Sequence, residues 1–285
     1  MSKTKLSLLL VFSLMLTSYL FSQSETYEDR IQSSYFMVNG QIATDLPLVS
    51  VDANVLISGM IAEVTVKQTF VNHGKEPIEA AYVFPGSSKS AVYGMQMKIG
   101  DRVIQAVVKE KEEAKKEFEE AKKEGKTASL LEQFRPNVFQ MNVANILPND
   151  RIEVELKYTE LLTPVEGVYE YVFPTKVAAR YDQKEDSPAE GAAPPQFQIN
   201  LKLAAGMTIS QANCLSHETD IFYERGDLLR LKLKNENQQG GEDFVFAYRL
   251  SGDGIGSGLS LFEGENENFF LLQLQPPKAV APESI

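Results

Sequence analysis

Apolar and polar positions alternate along most of the chain, and the alternation predicts strands. From Arg151 to Tyr158 the apolar Ile152, Val154, Leu156 and Tyr158 alternate with Arg151, Glu153, Glu155 and Lys157. One face of such a strand meets a core and the other meets water. The same period of two recurs at Phe197, Ile199, Leu201 and Leu203, at Leu229, Leu231 and Leu233, and at Phe244, Phe246, Tyr248 and Leu250. Earlier, Val55, Ile57, Ile61, Val64 and Val66 lead into a β-branched run that ends at Val71, and Asn72-His73-Gly74-Lys75 supplies its turn. Short segments of this kind, separated by Gly, Pro and Asn turns, predict a mainly β, antiparallel sandwich or barrel.

One segment departs from the period of two. Lys109 to Glu124 consists of good helix formers, with Gly125 placed to end the helix. Ala114, Phe118 and Ala121 form a narrow apolar stripe barely two turns long, so the expected element is one helix lying on a sheet rather than a coiled coil. A linker is expected over 182–195, where charge, proline and small residues exclude a strand interior. The glycine-rich break Ser251 to Ser260 is expected to connect two antiparallel strands. These features divide the chain into a polar lead (23–34), a first β domain with one helix (35–181), the linker, a further antiparallel β region (196–275) and a Pro-rich linker (276–285).

The first residues change the compartment. Lys3 and Lys5 precede an apolar run from Leu6 to Phe21, and the small Ser22 follows, which is the order of a secretory signal peptide over 1–22. Its removal predicts export to the periplasm, the outer surface or the medium; an uncleaved signal anchor is the alternative. The chain carries 39 acidic and 28 basic residues, a formal charge of −11, and loss of the two leader lysines makes the mature charge −13. That balance excludes nucleic acid as the natural partner, since phosphates require a clustered positive surface. Cys214 is the only cysteine, so an internal disulfide is excluded and stability must come from apolar burial.

Chemistry is sparse. His73 falls in a turn, and Cys214 with His217 has a spacing suited to a thiol and its base, but two ligands do not make a zinc site. Where a Gly-x-Gly-x-x-Gly motif begun at Gly252 needs its last glycine, Ser257 stands instead, and no helical pattern follows. The carboxylates on the predicted helix are those expected of a solvated face. These residues therefore predict no catalytic residue, no cofactor and no metal ligand. The rival reading is an envelope enzyme built on Cys214 and His217.

An ordered series of motifs then becomes familiar. It runs through Pro77-Ile78-Glu79-Ala80-Ala81-Tyr82-Val83-Phe84-Pro85, Ile99-Gly100-Asp101-Arg102, Val108-Lys109-Glu110-Lys111, and Leu130-Leu131-Glu132-Gln133. It continues through Arg135-Pro136-Asn137-Val138-Phe139, Val143-Ala144-Asn145-Ile146 with Pro148, and Pro174-Thr175 before Arg180-Tyr181. The series resembles the vault protein inter-alpha-trypsin (VIT) domain and covers about Tyr35 to Tyr181. Gly86-Ser87 and Lys176, Ala178 and Ala179 depart from the family pattern at expected turns.

The resemblance implies a β-sandwich-like domain with one helix and structural roles for its motif residues. It also implies the N-terminal half of a protein with a von Willebrand factor A domain downstream. That second domain binds a divalent metal through an Asp-x-Ser-x-Ser loop, and no such spacing occurs in these 285 residues. The function expected is a non-enzymatic scaffold or adhesion module. Its partner would be another protein or such a downstream domain, with membrane contact only through an uncleaved anchor.

Overall fold

β-branched and aromatic residues at alternate positions build strands throughout the computed structural model, which describes residues 30–106, 131–135, 137–175, 195–234, 238–239, 241–251, 256–264 and 267–275. The expected leader, the helix over 109–124, all but the last residue of the 182–195 linker and the 276–285 segment lie outside the described residues. The strands begin with β1 (Tyr35–Val38), β2 (Gln41–Ile42), β3 (Leu48–Ser58), β4 (Ile61–Val71), β5 (Ile78–Pro85) and β6 (Ser90–Ile99). They continue with β7 (Arg102–Ala106), β8 (Leu131–Arg135), β9 (Val138–Ile146), β10 (Arg151–Leu161), β11 (Val168–Phe173), β12 (Gln196–Ala204) and β13 (Ile209–Cys214). The last are β14 (Thr219–Arg225), β15 (Leu228–Leu233), β16 (Gln238–Gln239), β17 (Phe244–Leu250), β18 (Gly256–Glu263) and β19 (Asn268–Gln275).

A nine-stranded sheet forms the frame, in the order β14-β15-β12-β3-β4-β10-β6-β7, with β16 also paired to β12. Its centre is long and regular: β10 pairs antiparallel with β4 from Arg151 opposite Val71 to Leu161 opposite Ile61. A short hairpin turn at Gly59, in the left-handed region at φ 61°, returns β3 into β4. β12 lies parallel to β3, from Gln196 opposite Ser50 to Ala204 opposite Ser58. β12, β14, β15 and β16 thus belong to the sheet that holds β3 and β4. Every other strand pairing among the described residues is antiparallel, so the fold is mainly β and antiparallel-rich.

Two smaller sheets cover the inner face of this frame. The five-stranded sheet β2-β1-β5-β9-β8 meets it through aromatic contacts. Phe36 of β1 and Phe70 of β4 pack edge to face at 4.8 Å, Tyr82 of β5 meets Phe70 edge to face at 6.2 Å, and Phe84 of β5 lies 5.2 Å from Tyr158 of β10. The three-stranded sheet β11-β17-β13 covers the β12 side, with Phe173 stacked on Phe197 at 5.7 Å and Phe244 6.4 Å from Phe197. Side chains from all three sheets, including Val64, Leu156, Tyr82, Tyr171 and Phe246, belong to one buried cluster. Each such side chain contributes about 2 kcal/mol on burial, which is how a chain with one thiol and no disulfide holds together.

The opposite face of the frame is polar. Glu155 lies 3.4 Å from both Lys67 and Lys157, exposed pairs worth less than about 1 kcal/mol each. Tyr93 donates to Glu63 at 2.8 Å; burial, reinforced by that carboxylate, pushes its hydroxyl up to about 12.

The glycine-rich break behaves differently from expectation. β18 begins at Gly256, inside the stretch read as a connection, and it pairs with β19 rather than with β17. Glycine was read as turn chemistry, but here it serves close approach. A Cβ on Gly258 would come within 3.3 Å of Gly206 O and Met207 Cγ, so a larger residue there would need the β12–β13 turn or Met207 to give by a few tenths of an ångström.

Candidate functional site

Gly100, Asp101, Arg102, Asn145 and Pro148 gather at one end of the frame. Gly100 and Asp101 form the two-residue turn from β6 to β7, with Gly100 left-handed at φ 56° and Ile99 opposite Arg102. Arg102 leaves that turn and donates from Nη2 to the carbonyl of Asn145 at 2.9 Å, with Asp150 4.0 Å away. Asn145 and Asn149 both take left-handed backbone, at φ 59° and 66°, a conformation asparagine tolerates better than other non-glycine residues. Pro148 lies between them, where no ladder donor is needed.

Asn72 is the hub of this end, and the sequence marked it only as a turn residue. It is fully buried. Its Nδ2 donates to the carbonyls of Ile146 and Leu147 at 3.2 and 3.1 Å, and its Oδ1 accepts from Gly74 N at 2.8 Å. Its backbone N–H donates to Asp150 O and its carbonyl accepts from Asn149 N. Asp150 closes the β9–β10 turn by accepting from Leu147 N at 2.8 Å. These bonds tie three turns together.

The remaining motif residues are placed as follows. Phe84 is buried beside Phe139 and Tyr158, and buried Pro85 accepts from Gln32 N. Pro77 and Glu79 are exposed at the start of β5. Asn137 turns β8 into β9 at φ 66°, and its carbonyl accepts from Gly86 N at 2.6 Å. Glu132, Gln133 and Arg135 lie on β8. Lys109, Glu110, Pro136, Arg180 and Tyr181 lie outside the described residues.

Cys214 and His217 do come close, but Ser216 stands between them. Ser216 Oγ is 2.7 Å from His217 Nδ1 and 3.8 Å from the thiol, and it also accepts from Val245 N at 2.8 Å. The imidazole lies 5.8 Å from both Phe197 and Phe244. Burial lowers its pKa, opposed by the Glu242 carboxylate. With Nδ1 engaged by Ser216, the arrangement locks the β13–β14 turn to β17 rather than pairing a thiol with a base. His73 lies in the β4–β5 turn, where its backbone N–H donates to Asp45 O. Among the described residues, no group of three or more His, Cys, Asp or Glu could hold a metal ion.

A different feature stands out on the surface. The face of the β18–β19 hairpin formed by Leu259, Leu261, Phe270, Leu272 and Leu274 is open to solvent.

Residues 48–158 match the family described as vault protein inter-alpha-trypsin domain. The chain carries a VIT domain. This is the family that the motif series resembled, and the matched stretch runs from the start of β3 into β10. Over 145 residues the chain is 34% identical to rat von Willebrand factor A domain-containing protein 5A, covering 50% of this chain and 18% of that protein. It is 31% identical over 127 residues to human inter-alpha-trypsin inhibitor heavy chain H4, covering 44% of this chain and 13% of that one. Mouse protein mono-ADP-ribosyltransferase PARP4 is 36% identical over 136 residues, covering 48% of this chain and 7% of that protein. The VIT-bearing chain therefore spans less than a fifth of each of these relatives. A Legionella pneumophila putative nutrient binding protein aligns with 77% of this chain and 70% of its own at a TM-score of 0.44 and 8% identity.

Proposed function

We propose that this chain is a non-enzymatic, exported scaffold or adhesion module whose VIT domain braces or presents a partner domain, of the von Willebrand factor A kind. The observation that carries this reading is the VIT match over 48–158, together with relatives whose names include a von Willebrand factor A domain. The hydrogen bonds around Asn72 and Ser216 support it as well, since both clusters spend their polar groups on holding turns. The transferase named in PARP4 belongs to that protein, of which this chain matches 7%. Export rests on Lys3, Lys5 and the apolar run after them; among the described residues no helix is long and apolar enough to cross a membrane.

The test joins the von Willebrand factor A domain of human von Willebrand factor A domain-containing protein 5A after Ile285 and follows thermal unfolding of the fused protein. Bracing gives a single cooperative transition above that of either part alone. Two independent transitions, at the temperatures of the separate parts, overturn the reading. Intact mass of the secreted chain tests export, with loss of the first 22 residues expected and Met1 retained in a cytoplasmic pool as the contrary result.

A further inference from the structure

The β18–β19 hairpin is held by one face and free on the other. Pairing sets Leu259 opposite Leu272, Leu261 opposite Phe270 and Ser257 opposite Leu274. Residues two apart on a strand share a face, so five large apolar side chains form one strip. They are 65, 67, 72, 55 and 63% exposed, in the order Leu259, Leu261, Phe270, Leu272, Leu274. The opposite face meets the body: Gly258 lies against Gly206 and Met207, and buried Gln273 donates from Nε2 to Tyr169 OH at 2.7 Å. Toward the tip even this second face opens, with Phe269 56% exposed.

A two-stranded sheet is marginal in water by itself, and natural edge strands carry charge or proline to prevent unwanted pairing. From Asn268 to Gln275 there is neither. Five side chains at roughly two-thirds exposure amount to about 600 Å², the size of patch that marks an interaction site. A partner seated on the strip would bury about 1,200 Å² in all, the lower end of what a specific interface needs.

We propose that the Leu259–Leu261–Phe270–Leu272–Leu274 face seats a domain carried on the same polypeptide after β19, the von Willebrand factor A domain of the bracing reading above, on which this inference rests. Three observations select that occupant. β19 is the last described strand, so a domain attached beyond it is held beside the strip at high effective concentration by its covalent link. The match covers only 18% of the rat relative named for such a domain, so most of that protein lies outside the matched region. The strip is uncharged in a chain of net charge −11, so a second copy would bring one acidic body against another, which a different domain need not do. The complementary surface is an apolar centre with a basic rim, opposite the exposed Glu263 and Glu267 beside the tip.

The test uses the fused protein described above and the double variant Leu261→Asp/Leu272→Asp, with Lys67→Glu on the polar face of the frame as control. The single transition of the fused protein should split into two in the double variant and stay single in the control. The unfused double variant should melt within a few degrees of the unfused parent, because its substitutions lie on solvent. Hydrogen exchange of β18 and β19 amides should slow at least tenfold on fusion. A fused double variant that still melts as one transition, with unchanged exchange in β18–β19, overturns the proposal and leaves bracing standing through another surface. Two transitions in the unsubstituted fusion sink bracing itself. A parent chain that sediments as a dimer, with the double variant monomeric and coupling to the fused domain intact, assigns the strip to a second copy and overturns the proposal.

Discussion

Strand β17 reads Phe-Val-Phe-Ala-Tyr-Arg-Leu and strand β19 reads Asn-Phe-Phe-Leu-Leu-Gln-Leu-Gln, two apolar strands of nearly equal length. In β17 every alternate residue is buried: Phe244, Phe246, Tyr248 and Leu250 face the frame, and Tyr248 OH donates to Gly59 O at 3.1 Å. In β19 the alternate residues Phe270, Leu272 and Leu274 are all more than half exposed. Neighbours make the difference. β17 sits between β11 and β13 over β12, whereas among the described residues β19 pairs with β18 alone and meets the body through the face that holds Gln273. A period of two tells which residues share a face. It does not tell whether anything lies on that face.

The largest effect expected is at the covered strand. Phe246→Ala should cost about 4 kcal/mol, the usual cost of truncating a buried aromatic, while Phe270→Ala should leave the denaturant midpoint of the unfused chain almost unchanged. Equal losses in the two variants would break the comparison. Next, Asn72→Ala should cost about 2–3 kcal/mol, since it strips partners from Gly74 N and from the carbonyls of Ile146 and Leu147 in a buried setting. A midpoint shift no larger than that of an exposed Glu153→Ala control would show those turns to be hydrated instead.

A smaller change sharpens the comparison at the hairpin's attachment. Gln273→Leu removes the hydrogen bond to Tyr169 and should cost about 1 kcal/mol, with faster amide exchange confined to β18 and β19. Uniform acceleration across β11 and β17 would mean that the hairpin supports the body as well as hanging from it. The smallest effect concerns His217. Burial holds its folded pKa below the ordinary 6.5, so the neutral ring is favoured by folding. Stability from this group is present above that value and is lost as pH falls through it toward the depressed folded value. Melting temperature should fall slightly from pH 7 to pH 5, and His217→Gln should remove that part of the slope; an identical slope in the variant assigns it to other groups.

Much of the fold could be read locally. The alternation from Arg151 to Tyr158, the β-branched run to Val71 and the apolar series at 197–203, 229–233 and 244–250 all became strands with the expected residues buried. Gly100, Asn137 and Asn145 stand within the quoted motifs, and their left-handed backbone, which favours glycine and asparagine at single positions, is what the structure adds. Composition also excludes an internal disulfide, and the motif order points to the VIT domain. All of these depend on a residue and its near neighbours in sequence.

What the sequence left open depends on partners far along the chain. The parallel seat of β12 beside β3 joins residues 146 apart, and no local pattern encodes it. Ser216 came between Cys214 and His217 only because Val245 of β17 lies opposite that turn. Asn72 became a hub only when the β9–β10 turn folded over it. The glycine-rich break from Ser251 to Ser260 reads locally as a connection, since glycine's permissiveness serves a turn and a close approach equally; the proximity of Gly206 decides for close approach at Gly258. Burial of an apolar face is likewise a property of the pair of surfaces, which is why β17 and β19 could not be told apart until the sheets were assembled.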